Sequence, residues 1–471
     1  MSQETNSAPV TENKMGTMPI GRLVFNMSLP MMISMLVQAL YNIVDSIFVA
    51  KLSENALTAV SLAFPLQTLI IAVATGTGVG VNALLSKSLG AHKYDEANKI
   101  GINGAVLYAF SYVIFLILGL TIVKPFYMSQ IGNADIEIMD MGVSYLSTVM
   151  IFSFGIFAEI FFERVLTSTG RTIFSMTSQL CGAITNIILD PIMIFGLLGF
   201  PKLGATGAAV ATVVGQCVAA VVAFACNHKF NHEISLSFKG YSPDFKIMGT
   251  IYAIGIPSII MQSIGSIMTY AMNRILIGFS STAAAVFGVY FKLQSFFFMP
   301  VFGLNNGITP IIAFNYGAQN RKRMVKTIKV SLITAFCLLF VGFACFEFIP
   351  QVLLGMFSAS DDMLKIGVPA LRIIGVHFLI AWFCIIVGTV FQALGKAVFS
   401  MIVSIMRQLV VLIPAAYILS KLGGLHAVWW AFPIAEVISL TVSTLFLIRI
   451  NRTIILSLIH ISEPTRLALI S

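Results

Sequence analysis

Charge is scarce in this chain. Asp, Glu, Lys and Arg together make up 10% of its 471 residues, where soluble globular domains carry about 25%. With a mean hydropathy of +0.94, that scarcity excludes a fold bathed in water. Nucleotide-binding signals are missing as well. Gly76-Thr77-Gly78-Val79-Gly80 lacks the lysine of a phosphate loop and lies inside an apolar run. Small residues there let helices approach closely instead. The six Cys (181, 217, 226, 337, 345, 384) follow no metal or secreted-disulfide spacing and read as buried thiols. No small-residue cleavage site follows the first apolar block, so no signal peptide is expected. No nucleophile motif occurs, and the chain is not expected to be an enzyme. Without a Walker motif ATP cannot drive it directly, no ATPase subunit is evident, and an ion gradient is left as the energy source.

What the chain does have, it has twice. Pro30–Lys99 slides by 227 positions, without a gap, onto Pro257–Lys326. Gly76, Gly80 and Gly90 meet Gly303, Gly307 and Gly317, and Leu66-Gln67 meets Leu293-Gln294. Gly170–Met176 matches Gly395–Met401 at a slightly different shift. A duplicated half in an apolar chain points to a transporter with its site between two similar bundles.

The apolar runs are long enough to cross a hydrocarbon core about 30 Å thick. Twelve spans are expected at roughly 23–50, 57–86, 101–123, 142–166, 173–198, 204–226, 249–277, 283–314, 328–350, 367–393, 398–420 and 425–448. The fold class is therefore all-α membrane protein, in two six-helix lobes related by a parallel repeat. The boundaries follow: a cytoplasmic tail 1–22, a first lobe 23–226, a linker 227–248, a second lobe 249–453, and a tail 454–471. The last segment resembles a translated sequencing adapter and is set aside as non-native. Loops on one face hold seventeen Lys and Arg; the other face holds Lys51, Lys124, Lys202, Lys365 and Lys421. By the positive-inside rule both termini are expected in the cytoplasm. The same basic loops account for the pI of 9.2 without nucleic acid as a partner.

An ionisable residue within a span costs at least about 2.5–3.5 kcal/mol on insertion scales, so each needs a reason. Asp45, Asp190 and Thr212 all fall at roughly 10–13 Å below the outer surface, at 1.5 Å per residue. Asn186 shares a helix face with Asp190, and Pro191 frees the carbonyl of Ile187. This oxygen-rich set could hold Na⁺ or H⁺; alternatively, Asp190-Pro191 only caps a kink and Asp45 marks a wet helix. Met272 stands where the repeat would place a second Asp45, so coupling is expected in the first half. Glu163, Gln38, Tyr41, Gln262, Tyr290, Lys292 and Gln294 are candidates to line the substrate cavity. Glu159 and Glu163 with Arg164 read equally as a local salt bridge, His377 as a core histidine, and Arg407 with Glu436 as a simple pair. The 23 Met and 38 Phe suit a cavity for bulky organic cations, though most such residues face lipid or pack helices.

Leu-Pro-Met-Met (29–32), Tyr-Asn-Ile-Val-Asp (41–45), Asn-Ile-Ile-Leu-Asp-Pro (186–191), Gly-Ala-Ala-Val-Ala-Thr (207–212) and Asn-Tyr-Gly-Ala (315–318) make residues 18–453 resemble the multidrug and toxic compound extrusion (MATE) family, in its prokaryotic MepA-like branch. The resemblance implies cation-coupled efflux by alternating access, with Na⁺ or H⁺ as coupling ion and no other cofactor. By the motif match the ion falls on Asp45, Asn186, Asp190 and Thr212. Some members carry acids on the seventh and tenth helices, which this chain lacks. Small organic molecules and membrane lipid are the expected partners, a prokaryotic plasma membrane the location, and a monomer the state. A flippase for lipid-linked precursors and an uncoupled channel or sensor are the rival readings.

Overall fold

A computed structural model describes residues 13–131, 136–237, 242–357 and 360–456; Lys239 and most of the tail set aside above lie outside them. Among the described residues ten helices are long and apolar enough to cross a membrane, and two bent pairs pass the same test together, giving up to twelve spans if each pair counts as one. In the first half these are α1 (Ile20–Leu52), α2 (Glu54–Gly90), α3 (Tyr94–Thr121), the pair α4 and α5 (Ile136–Ile151 and Phe154–Ser168), α6 (Thr172–Phe195) and α7 (Ala205–Phe230). The second half repeats the series as α8 (Phe245–Ile277), α9 (Ser281–Gly317), α10 (Arg321–Phe348), the pair α11 and α12 (Asp361–Gly375 and Phe378–Ala393), α13 (Ala397–Leu422) and α14 (Gly424–Ile455).

Two spans expected to be continuous are broken, by 41° between α4 and α5 and by 49° between α11 and α12. At each break the backbone tightens to bonds three residues apart, Ser153 N–H to Met150 C=O and His377 N–H to Ile374 C=O. Neither break holds a proline, but Ser153 and Gly155 flank the first and Gly375 the second, and glycine and serine are the other usual sites of a helix bend. Within α13, Met406–Leu412 widens into a π-helix, and such turns recur at functional sites.

The halves meet through α1 against α9 and through α2 against α8 and α9. Glycines permit the contact. A methyl group on Gly90 would lie 1.9 Å from the Phe314 carbonyl oxygen, and one on Gly317 would lie 1.9 Å from that of Lys87. Each contact is the image of the other under the 227-position shift. Nearer the middle of the spans Gly76 packs on Ile259 and Gly303 on Met32, again as images. His92 and Gln319, also matched, both adopt φ of +57°, so the same turn ends α2 and α9.

Below this seam, on the face richest in Lys and Arg, the helical turn Lys14–Thr17 is wedged between the halves. Met15 is fully buried. Its carbonyl accepts from Asn315 Nδ2 and from Arg323 Nη2, each at 3.1 Å, and Arg323 Nη2 also donates to the Met18 carbonyl at 2.6 Å. On the other side Asn13 Nδ2 donates to Glu233 Oε2 at 2.7 Å, and Arg171 pairs with Glu233 at 3.0 Å.

Candidate functional site

The middle of the first half encloses a cavity of about 120 Å³. Three helices supply its polar wall: α1 with Gln38 and Tyr41, α5 with Glu159, Glu163 and Arg164, and α6 with Gln179 and Asn186. Thr75 closes it from α2, and Thr212 and Gln216 from α7. The α6 lining residues Gln179, Gly182 and Asn186 fall on one stripe at helical spacing, which Asp190 continues. Gly182 and Gly215 let α6 and α7 nearly touch: a methyl on Gly215 would fall 2.8 Å from the Gly182 carbonyl oxygen and 3.1 Å from Asn186 Cβ.

At the edge of the cavity Asn186 Nδ2 lies 3.4 Å from Asp190 Oδ1 and 3.4 Å from Thr212 Oγ1. Both contacts are long for hydrogen bonds. Asp190 is fully buried and Asn186 is 3% exposed. Asp190 Oδ2, Asn186 Oδ1 and Asp45 Oδ1 are buried with no hydrogen-bond partner among the described residues. A buried polar atom without a partner carries a penalty of roughly 1–3 kcal/mol, more for a charged group. Two carboxylates, an amide oxygen and a hydroxyl are hard ligands, suited to an alkali cation or a proton rather than to a soft metal.

Gln38, Tyr41, Glu163, Asn186 and Thr212 thus share one cavity; Asp190 stands four residues beyond Asn186 on α6 and Asp45 four beyond Tyr41 on α1. The remaining candidates go elsewhere. Gln262 Oε1 accepts from Thr75 Oγ1 at 2.8 Å, at the seam between the halves. Gln294 lines a separate cavity in the second half. Tyr290 is fully buried among Phe287, Phe346, His377 and Phe432, and Lys292 is exposed with Nζ 6.0 Å from the Phe357 ring. The local salt bridge weighed for Arg164 does not form. Its Nη1 instead donates to Asn306 Oδ1 of α9 at 3.1 Å, and Glu163 Oε1 is buried with no hydrogen-bond partner among the described residues. Sequence reasoning passed over Gln179 and Gln216. The first was within reach, since it stands seven residues before Asn186 on the same face.

The MatE family profile matches residues 30–192 and 257–418. Among curated proteins, the chain is 28% identical over 425 residues to the multidrug export protein MepA of Staphylococcus haemolyticus, covering 89% of this chain and 91% of that one. It is 26% identical over 424 residues to MepA of Staphylococcus aureus strain MSSA476, with the same coverage. Among solved structures, one described as the outward-facing conformation of a multidrug resistance MATE family transporter superposes with a TM-score of 0.87 at 26% identity, over 95% of this chain and 99% of that one. A transporter from Pyrococcus furiosus, described as having a binding pocket of reversed polarity, gives 0.86 at 26% identity over the same shares.

Proposed function

Because the chain belongs to the MATE family, as a MepA-like multidrug efflux transporter and not an enzyme, we propose that it drives the export of organic, often cationic compounds by the downhill entry of Na⁺ or H⁺. The ion binds at Asp45, Asn186, Asp190 and Thr212, and the adjoining cavity with Glu163, Gln38 and Tyr41 receives the substrate. Residues 23–226 and 249–453 move as lobes joined by the linker 227–248, and one chain suffices. The basic face and both termini lie in the cytoplasm. With the glycine seam and the Lys14–Thr17 wedge closed on that face, the conformation described is the one that releases substrate outward.

The observation that carries this reading is the under-filled oxygen set. Asp190, fully buried, has one oxygen at 3.4 Å from Asn186 and the other without a hydrogen-bond partner among the described residues, a few residues from a polar cavity. Ion and drug need not touch. Each needs only to prefer a different arrangement of the lobes. Proteoliposomes loaded with a fluorescent organic cation, given a Na⁺ gradient or a pH gradient alone, test it. Export under one gradient and not the other names the ion; equal leakage under both, and under neither, leaves the uncoupled channel.

A further inference from the structure

The second half has a chamber of its own, about 240 Å³, walled by Phe291, Phe298 and Phe432. Two opposite charges face into it. Arg407 Nη1 lies 3.6 Å from Glu436 Oε1, too far for a hydrogen bond. Glu436 is 3% exposed, and its Oε1 has no hydrogen-bond partner among the described residues. Arg407, by contrast, leaves about a quarter of its side chain (27%) open. Attraction at this distance is poor compensation for taking a carboxylate out of water, because a buried pair recovers its desolvation penalty only with close geometry and added hydrogen bonds.

Two further observations bear on how Arg407 is presented. Arg407 and Gln408 sit in the π-helical stretch Met406–Leu412. The shift that brings Gly170 onto Gly395 also brings Gly182 onto Arg407, and Gly182 lines the cavity of the first half. The two chambers therefore occupy matching places, and where the first has a bare backbone the second holds out a guanidinium.

We propose that this chamber is a second ligand subsite, taking a single aromatic ring that bears a carboxylate and a protonated amine. The carboxylate lies along the guanidinium fork of Arg407, which matches it with two parallel N–H donors. The amine donates to Glu436 Oε1, and the ring packs among the three phenylalanines. Pockets for drug-sized ligands span about 300–1,000 Å³, so the chamber admits one ring with its charged groups and not a whole fused system. The proposal rests on reading the chain as a carrier of small organic molecules and names a substrate class for its second half.

Calorimetric titration of the purified full-length protein in detergent micelles tests it with three probes: 4-(aminomethyl)benzoate, benzylamine and benzoate. The zwitterion should bind saturably and about tenfold or more tightly than either single-charge probe, as the loss of one charge-assisted hydrogen bond implies. The double variant Arg407→Gln/Glu436→Gln keeps the shape without the charges and should bind all three alike. Equal affinities in the native protein, or a preference that survives the double variant, overturn the proposal. If the double variant does not fold, the three-probe comparison on the native protein still decides. A protein that exports organic cations yet ignores the zwitterion sinks the chamber alone. One that binds the zwitterion but exports nothing sinks the carrier reading and leaves the chamber.

Discussion

Arg323, at the start of α10, reaches across the seam to the carbonyl oxygen of Met18 at 2.6 Å. The same side chain holds the Met15 carbonyl and Asn315 Oδ1, the latter through Nε at 3.2 Å. One guanidinium thus joins the chain's first described turn to the second half. Any movement that parts the halves on the basic face must break these bonds.

Replacing Arg323 with Ala should loosen that closure. Hydrogen bonds from a charged group contribute about 1.5–3 kcal/mol each, so losing even one net bond shifts the open population roughly tenfold or more. Spin labels at the exposed positions 93 and 322, read by pulsed electron resonance, should show a new, longer distance in Arg323→Ala. An unchanged distribution would show that the glycine seam alone keeps the face shut.

Asp45→Asn and Asp190→Asn should each abolish gradient-driven export while leaving insertion and folding intact. An amide of the same shape neither gives up a proton nor neutralises a cation. Transport by reconstituted protein is the measurement, with size-exclusion elution as the folding control. Native rates in either variant would remove the coupling role from that residue.

Gly317→Ala should destabilise the protein or drive the halves apart, since its new methyl would meet the Lys87 carbonyl oxygen at 1.9 Å and a backbone atom cannot swing away. Overpacking of this kind costs about 1–3 kcal/mol. Gly90→Ala should behave alike. Gly249→Ala, where nothing lies within 4 Å, is the neutral comparison. Melting temperatures in micelles separate the three.

Lys14 gives the closure a dependence on pH. Burial, and then the positive charge of Arg171, hold its amine below the ordinary lysine value, with Glu233 opposing. A base whose pKa is lowered in the closed state binds its proton less well there than in the open state. Protonation therefore disfavours closure fully at pH below the lowered value. That penalty fades as pH rises and is gone above about 10.4, the ordinary value. The long-distance population at positions 93 and 322 should fall as the medium is made alkaline, and Lys14→Met should flatten the trend. A native protein that opens further with rising pH would contradict the sign.

The repeat made the architecture legible, because the 227-position register paired the glycines on which the halves pack; the left-handed turn shared by residues 92 and 319 came only with the backbone. The cavity was half legible. Asn186, Asp190 and Gln179 lie on one helix, where spacing dictates a common face. Thr212 and Asp45 could be placed only by depth, counted in residues from a span end. Depth likewise does not say which way a side chain turns: Tyr290 turns into an aromatic cluster and Lys292 to the surface. Pairings across the seam were out of reach. Arg164 and Asn306, or Thr75 and Gln262, are brought together by how two bundles dock, and no local pattern encodes that.

Gly90 and Gly317 lock into each other's neighbourhoods like two teeth cut from one template. When one disengages, the geometry asks the same of its twin, so the basic face cannot gape from a single corner. A carrier built this way swings as a whole, and a change confined to either tooth should be felt equally by both halves.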